Sequence, residues 1–356
     1  MRILHLDSGR HWRGGQRQVL LLAAAQRTQG QEPLVVSAPT SPLGGRLKSL
    51  GIASAAVEMR ADFDFIAMRR VRRIVSRWRP DIVHAHDARA HAIAMGALIG
   101  ADVPLVVTRR VPFLPKGRFK YGSRVAHFIA ISCAVRDALM RGGVAADRCT
   151  VVYSGVPAPV LGTPRDWRRE AGWPADTLLC GLVGAMTAEK GVEQLDDIAR
   201  HVPSDTRNRL RLVLLGGTAT GPGQFGGIAA YRAGFVDDVH NAMAGLDMLW
   251  HPSGAEGLGT AVIDAMALGV PPVVFATGGL AELVEADTSG LLAPPGDAQA
   301  FARQVVRLAT DAPLRERLAA GGRTRAVQFS VDRMVDGTAA VYDLVLHGRS
   351  AAAPAP

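Results

Sequence analysis

Two acids eight positions apart, Glu256 and Asp264, have the spacing in this chain that reads most directly as chemistry. Glu256 lies in a loop, Gly254-Ala255-Glu256-Gly257-Leu258-Gly259, that leaves the apolar run LDMLWHPS. The loop enters a helix over about Thr260–Leu268, with Gly269 and Pro271 as its stop signals. Eight positions make about two helical turns, so both carboxylates can face one cleft. Gly257 and Gly259 leave backbone N–H groups uncovered at the helix start, where the dipole favours an anion or the hydroxyls of a ligand. Lys190, followed by Gly191 at another helix start in VGAMTAEKGVEQL, suits a phosphate; its plainer reading is an exposed Lys beside a cap.

Further candidates lie in the first half. Gly14 and Gly15 open a helix in RGGQRQVLLLA; on their own they read as a turn, and they also suit a close backbone approach. Arg109 and Arg110 follow Thr108 at a strand end, the side on which α/β folds bind ligands. Alternate strand residues face opposite ways, so one of the pair is expected to turn inward. PDIVHAHD sets His84 and His86 at another strand end. This His-x-His pair, with Asp87 as a third ligand, admits a zinc reading. The preferred reading sets His86 as an acceptor contact or a loop hydrogen-bond donor.

The elements that must position these groups alternate strand and helix. Strands are expected over residues 2–6, 34–37, 53–57, 81–84, 105–108, 127–132 and 149–153. The helices between them start at Gly14 and cover 44–50, 66–78, 90–99, 120–125 and 134–141. In helix 66–78 positions 66, 71, 74, 75 and 78 read as the apolar side, with arginines largely opposite. The second half repeats the pattern. Its strands cover 178–184, 210–215, 231–235 and 248–251, followed by PPVVFA; its helices cover 191–201 and 239–244, and 216–227 is a glycine-rich loop. Closing helices over 298–310, 313–329 and 330–346 precede a tail, AAAPAP, that reads as disordered. This alternation predicts an α/β protein with parallel, doubly wound sheets. Residues 155–164, with three prolines and two glycines, read as a linker between domains 1–155 and 156–330.

Composition fits two domains. A chain of 356 residues with 48% hydrophobic residues can bury two cores. Cys133, Cys149 and Cys180 show no ligand spacing and are expected to be reduced, buried thiols of a cytoplasmic protein. No apolar run reaches membrane-spanning length, so a soluble or peripherally attached protein is expected. Charge is uneven. Residues 1–155 hold 24 Lys and Arg against 10 Asp and Glu, a surplus of +14, and the remainder holds 17 against 22, or −5. A basic first domain points to an anionic partner: nucleic acid, an anionic membrane or a phosphorylated acceptor. The plainer reading is an arginine-rich composition.

The stretch from His251 through GLLAPPGD resembles the donor-sugar signature of retaining glycosyltransferases of family four, which carries two glutamates separated by seven residues. Here the second acid is Asp264. RGGQRQVLLLA resembles the family's early glycine turn. VGAMTAEKGVEQL occupies the place of a pattern in which an Arg follows Gly184 and a Lys lies five residues later; Lys190 is kept and Ala185 replaces the Arg. A histidine common after the strand-end Thr is replaced by Arg109 and Arg110, one of which could partly stand in for the missing Arg.

The resemblance implies a GT-B fold, two Rossmann-like doubly wound domains facing across a cleft, with helix 331–346 returning to the first domain and 347–356 as tail. It implies retaining, metal-independent transfer from a nucleotide-diphosphate sugar to a saccharide or lipid-linked acceptor in cell-envelope glycan synthesis. No cofactor, no metal and no nucleic-acid partner are implied, and an anionic membrane surface is an additional expected partner. Implied catalytic residues are Glu256 and Lys190. Gly14, Gly15, Gly184, Thr187, Lys190, Glu256, Gly257, Leu258, Gly259 and Asp264 would hold the donor, with Asp264 at the ribose. His86, Arg109 and Arg110 would meet the acceptor or a phosphate. Ala185 and Asp264 keep open a donor-binding subunit with weakened catalysis. A GT-B nucleotide-hexosamine epimerase would need a different acid/base set, and the intact EGLG loop argues against it. A dehydrogenase would need GxGxxG after the first strand, which RGGQRQ does not supply.

Overall fold

In the computed structural model, which describes residues 1–115 and 118–350, the apolar runs become strands covered on both faces. Such strands are apolar at successive positions, not alternate ones, and Ile82–Ala85, Leu178–Val183 and Met248–His251 are buried at every residue. Two compact units result, one of Met1–Gly155 with the helix from Val331, the other of Val156–Ser330.

The first unit contains β1 (Arg2–Leu6), α1 (Gly14–Thr28), β2 (Glu32–Ser37), α2 (Pro42–Ser49), β3 (Ala53–Ala56), α3 (Phe65–Trp78) and β4 (Ile82–Ala85). It continues with α4 (Ala88–Ala97), β5 (Leu105–Arg109), β6 (Val125–Ala130), α5 (Cys133–Arg141) and β7 (Cys149–Val151). The strands are parallel in the order β3-β2-β1-β4-β5-β6-β7. The order reverses between β1 and β4, so the loops after these strands flank the crevice where such sheets bind ligands. Short polar residues start the helices: Asp64, Asp87 and Ser132 accept hydrogen bonds from the first-turn N–H groups of α3, α4 and α5.

The second unit contains α6 (Trp167–Ala171), β8 (Leu178–Val183), α7 (Leu195–His201), α8 (Ser204–Arg209), β9 (Leu210–Leu215), β10 (Thr220–Phe225), β11 (Ile228–Gly234) and α9 (Val239–Ala244). After these come β12 (Met248–His251), α10 (Thr260–Leu268), β13 (Pro272–Phe275), α11 (Leu280–Leu283), β14 (Leu291–Ala293), α12 (Ala298–Thr310) and α13 (Ala312–Ala326). The sheet runs β10-β11-β9-β8-β12-β13-β14, parallel except for β10. Its reversal lies between β8 and β12. Phe301 on α12 packs edge-on against Trp250 and Phe275, closing one face of the core.

The last helix, α14 (Val331–Ser350), belongs to the first unit. It lays Val335, Val341, Tyr342 and Val345 over Ile3, Ile82, Val106 and Ile129. The buried Tyr342 hydroxyl lies 2.6 Å from Nδ1 of His84, and Nε2 of the same ring lies 2.7 Å from the Thr108 hydroxyl.

Several local expectations are corrected. Part of the expected loop 216–227 is the edge strand β10, turned back onto β11 through Gly226 and Gly227 at positive φ. The sequence of β10, Thr-Gly-Pro-Gly-Gln-Phe, has little strand propensity, and Pro is tolerated only at an edge. The expected helix 191–201 is broken into short 3-10 turns, and its α-helix starts at Leu195, because Gly191 adopts φ +77°. Residues 120–125 are not helical throughout; a 3-10 turn ends at Tyr121 and β6 begins at Val125. Ile66 is 66% exposed, since the buried stripe of α3 is Ala67, Val71 and Val75. The helix expected to end at 346 continues to Ser350, so 347–350 is not tail, while AAAPAP and Lys116 lie outside the described residues.

Tyr342→Phe should lower stability by about 1–3 kcal/mol, because Nδ1 of the buried His84 loses its partner. Urea unfolding measures this, and a midpoint equal to wild type would show that the hydroxyl contributes nothing.

Candidate active site

In the second unit the reversal between β8 and β12 places two loops side by side. The loop after β8 runs through Gly184, Ala185 and Thr187 into a 3-10 turn, Ala188–Lys190, closed by the Thr187 carbonyl accepting from Lys190 N–H at 3.0 Å. Pro252–Gly259 follows β12. The loops touch where Gly191 meets Pro252: a Cβ on Gly191 would lie 2.0 Å from the Pro252 carbonyl oxygen. The Ser253 hydroxyl donates to the Glu189 carbonyl at 2.7 Å. Glycine at 191 is therefore required twice, by its positive φ and by this approach.

That contact brings Lys190 to Glu256. The ammonium donates to Oε2 of Glu256, and Nε2 of His251 lies 3.1 Å from the same oxygen. The Glu256 side chain is 13% exposed. Burial pushes its carboxyl up, but the His251 hydrogen bond and the Lys190 charge outweigh that and hold it at about 2. Glu256 is thus an ionised, largely buried carboxylate at working pH. The turn Thr277-Gly278-Gly279 supports it from behind. Gly279 N–H donates to the Glu256 carbonyl at 3.1 Å, and a Cβ on Gly278 would come within 2.1 Å of that oxygen.

Beyond Glu256, Leu258 is buried and Gly259, at φ +98°, starts α10 without a side-chain cap. No side chain caps the first turn; Val262 N–H turns to the Gly259 carbonyl at 2.9 Å, which leaves the N–H groups before it without a side-chain acceptor. Asp264 is buried on α10, and its Oδ1 lies 2.9 Å from Nε2 of His240 on α9. Of the residues expected here, the structure joins Lys190 to Glu256, sets Gly184 and Thr187 as framework of the Lys190 turn, and pairs Asp264 with His240. His251 and His240 were not foreseen. Both are single histidines without a motif, one ending a strand and one in a short helix, and only the contacts of the folded chain reveal them.

In the first unit Asp7, His86 and Arg110 follow β1, β4 and β5 at the carboxyl edge. Asp87 is committed elsewhere. Its oxygens accept from the N–H groups of Arg89 and Ala90 at 2.9 Å and from Ser8 N–H and hydroxyl at 2.6 Å, so it is no metal ligand beside His86. His5, His84 and His86 instead form the buried cluster, with ring nitrogens within 4.8 Å of one another. A guanidinium can only donate, which fixes the tautomers. Arg110 Nη2 donates to Nδ1 of His86 at 3.3 Å, so His86 Nε2 donates to Nδ1 of His5 at 2.9 Å and His5 Nε2 to Gln26 Oε1 at 2.8 Å. Burial keeps all three imidazoles neutral, with His5 lowered to about 4. A cation at their centre would have to displace the His86 proton beside Arg110. The arrangement fits a hydrogen-bonded relay better than a metal centre.

Arg110, not Arg109, is the inward arginine. Burial lowers its pKa to about 10 against the opposing pull of Asp7 and Asp87. A Cβ on Gly15 would lie 3.7 Å from Arg110 Cδ, so Gly14 and Gly15 at the start of α1 adjoin it. Arg109 turns the other way, donating to the Phe113 carbonyl at 3.1 Å. Beneath Arg110, His84, His86, Thr108, Gln18 and Ser154 border a cavity of about 20 Å³, enough for one water.

Comparison with known proteins identifies the family and the fold. Residues 164–325 match the family model for glycosyl transferases group 1, and residues 12–158 match that for glycosyltransferase family 4. The D-inositol 3-phosphate glycosyltransferase of Xylanimonas cellulosilytica is 30% identical over 292 residues, 75% of this chain and 67% of that protein. Its counterpart from Stackebrandtia nassauensis is 31% identical over 225 residues, 57% of this chain and 50% of the relative. The chain thus spans half to two thirds of the length of these curated relatives. Among solved structures, Anabaena HepE in complex with UDP-glucose superposes with a TM-score of 0.83 at 22% identity, covering 96% of this chain and 99% of that one. The two-sheet architecture is that of the GT-B glycosyltransferases, and the chain belongs to glycosyltransferase family 4.

Proposed function

We propose that the chain is a retaining, metal-independent glycosyltransferase that moves a sugar from a nucleoside-diphosphate sugar to a saccharide or lipid-linked acceptor in cell-envelope glycan synthesis. The observation that carries this is the Glu256 carboxylate, held ionised by Lys190 and His251 at the carboxyl edge of the second sheet. A fixed charge there accepts hydrogen bonds from donor-sugar hydroxyls and strengthens as positive charge develops at the reacting carbon. The N–H groups of Gly257–Gly259 and the α10 start bind the donor beside it. Lys190 neutralises the diphosphate, and Asp264, with His240 behind it, holds the ribose. The departing phosphate takes the acceptor proton on the face it leaves, so no protein nucleophile is needed.

Uridine is the first base to test, because the HepE structures contain UDP and UDP-glucose. The first unit, with His86 and Arg110 at its edge, receives the acceptor or one of its phosphates. The D-inositol 3-phosphate relatives carry an acceptor of that kind in their names. The protein works in the cytoplasm, attached peripherally to the membrane, with no cofactor and no nucleic-acid partner. A second reading, a donor-binding subunit with little turnover, rests on Ala185 in place of the family's Arg. A thermal-shift screen of nucleotide sugars followed by a transfer assay separates the two: stabilisation with turnover supports the enzyme, stabilisation alone the subunit.

Glu256→Gln should leave the protein folded and lower kcat by about 10²–10³; turnover near wild type with the correct donor would remove Glu256 from catalysis. Asp264→Ala should raise KM for the donor with a smaller change in kcat, and an unchanged KM would show that the ribose is held elsewhere. The same acid sets a pH dependence of stability at position 256. A carboxyl at about 2 when folded and 4.5 when unfolded stabilises the fold fully above about pH 4.5, and that contribution is lost as pH falls toward 2. The stability gap between wild type and Glu256→Gln should therefore be widest near neutrality and narrow across that interval in acid unfolding curves.

A further inference from the structure

The first unit carries two groups of exposed apolar side chains that its own core does not use. Phe63, Phe65 and Ile66, where α3 begins, are 77%, 72% and 66% exposed, and Phe113 and Leu114, in the loop after β5, are 56% and 57% exposed. Parallel strands send all the segments that follow them to one edge of the sheet, so both groups emerge at the edge that bears His86, Arg110 and the α1 start. Large apolar side chains left in water at one edge mark an interaction surface.

The charge beside these side chains says what covers them. At 100° per residue, Phe65, Ile66, Arg69, Arg73 and Arg77 fall within an arc of about 120° on α3, opposite the buried stripe Ala67, Val71 and Val75. The helix contains no acid between Phe65 and Trp78. Arg69, Arg70, Arg73 and Arg77 make no ion pair with any described residue, and the nearest acids, Asp62 and Asp64, are engaged with Lys120 and with the α3 cap. A helix that is apolar at one end and arginine-lined along the same face suits a boundary between hydrocarbon and phosphate. Nucleic acid would use the arginines but would leave the aliphatic Ile66 and Leu114 in water.

We propose that this edge of the first unit docks on an anionic lipid bilayer, with Phe63, Phe65, Ile66, Phe113 and Leu114 entering the interface and the arginines of α3 lying on headgroup phosphates. A bilayer there presents a lipid-anchored acceptor to the loops of His86 and Arg110, unlike the water-soluble inositol phosphate in the relatives' names. This last step rests on the glycosyltransferase reading; docking itself does not.

The test is co-sedimentation of the full chain with vesicles of phosphatidylcholine alone or mixed with phosphatidylglycerol. Binding should require phosphatidylglycerol, fall with added salt, and drop roughly fivefold for each of the neutralising substitutions Arg69→Gln, Arg73→Gln and Arg77→Gln. Phe63→Ser/Phe65→Ser/Ile66→Ser should weaken binding at least tenfold and leave its salt dependence unchanged. All variants should keep the wild-type thermal shift with UDP-sugars, which shows that they are folded. Equal partition to neutral and anionic vesicles, insensitivity to either set of substitutions, or preferential binding of a single-stranded oligonucleotide overturns docking. Vesicle binding without any nucleotide-sugar response overturns the enzyme reading and leaves docking standing. With both in place, donor label should enter the solvent-extractable lipid of cell membranes; label found only in water-soluble product overturns the lipid-anchored acceptor.

Discussion

A carboxylate that is mostly withdrawn from water keeps its charge only if other groups replace the lost hydration. Glu256 has two such groups, Lys190 and His251, and they reach one oxygen from two directions. The second unit is arranged to allow this meeting. β8 and β12 must be neighbours for their loops to touch, Gly191 must lack a Cβ for the loops to close, and Gly278 must lack one for the supporting turn to reach the Glu256 carbonyl. Removing either partner would leave a mostly buried charge with only the other to replace its hydration, a cost larger than the contact itself contributes. The ion pair is therefore a constraint on the loops as much as a source of stability.

The first unit solves a related problem with neutral groups. Arg110 sits against histidines that burial keeps uncharged, so its charge is not opposed by imidazolium ions. The donor chain from Arg110 through His86 and His5 to Gln26 has one consistent direction, and hydrogen bonds in series polarise one another. His84 stands beside that chain and ties β4 to α14 through Tyr342. The edge that carries the arginine is thereby joined to the last helix of the fold by ring contacts, the His84–Tyr342 hydrogen bond and the apolar packing of α14.

Much of this was legible in the sequence where local rules apply. The loop around Glu256, the helix Thr260–Leu268 and the alternation of strand and helix follow from glycines, prolines and apolar runs, and the resemblance to family four rests on the same residues. What escaped depends on contacts between distant segments. His251 ends a strand and His240 lies in a short helix, and nothing in their neighbours marks them. The third member of the His84–His86 group is not the neighbouring Asp87, which caps α4, but His5, far away in the chain. Ile66 was placed on the wrong face because the buried stripe begins one residue later, a rotation of about 100°. β10 was read as a loop because Gly-Pro-Gly opposes strand formation and only pairing with β11 overrides it.

That edge strand has a consequence of its own. A sheet that ends in a row of open N–H and C=O groups is a template on which a second chain can add, and crowding proteins onto a surface raises the risk of such stacking. Pro222 contributes no N–H to the outermost strand, and Gly221 and Gly223 offer no side chains for a newcomer to grip. The weakest strand of the fold thus stands where weakness is useful, as a terminator that keeps neighbouring molecules from growing into a shared sheet.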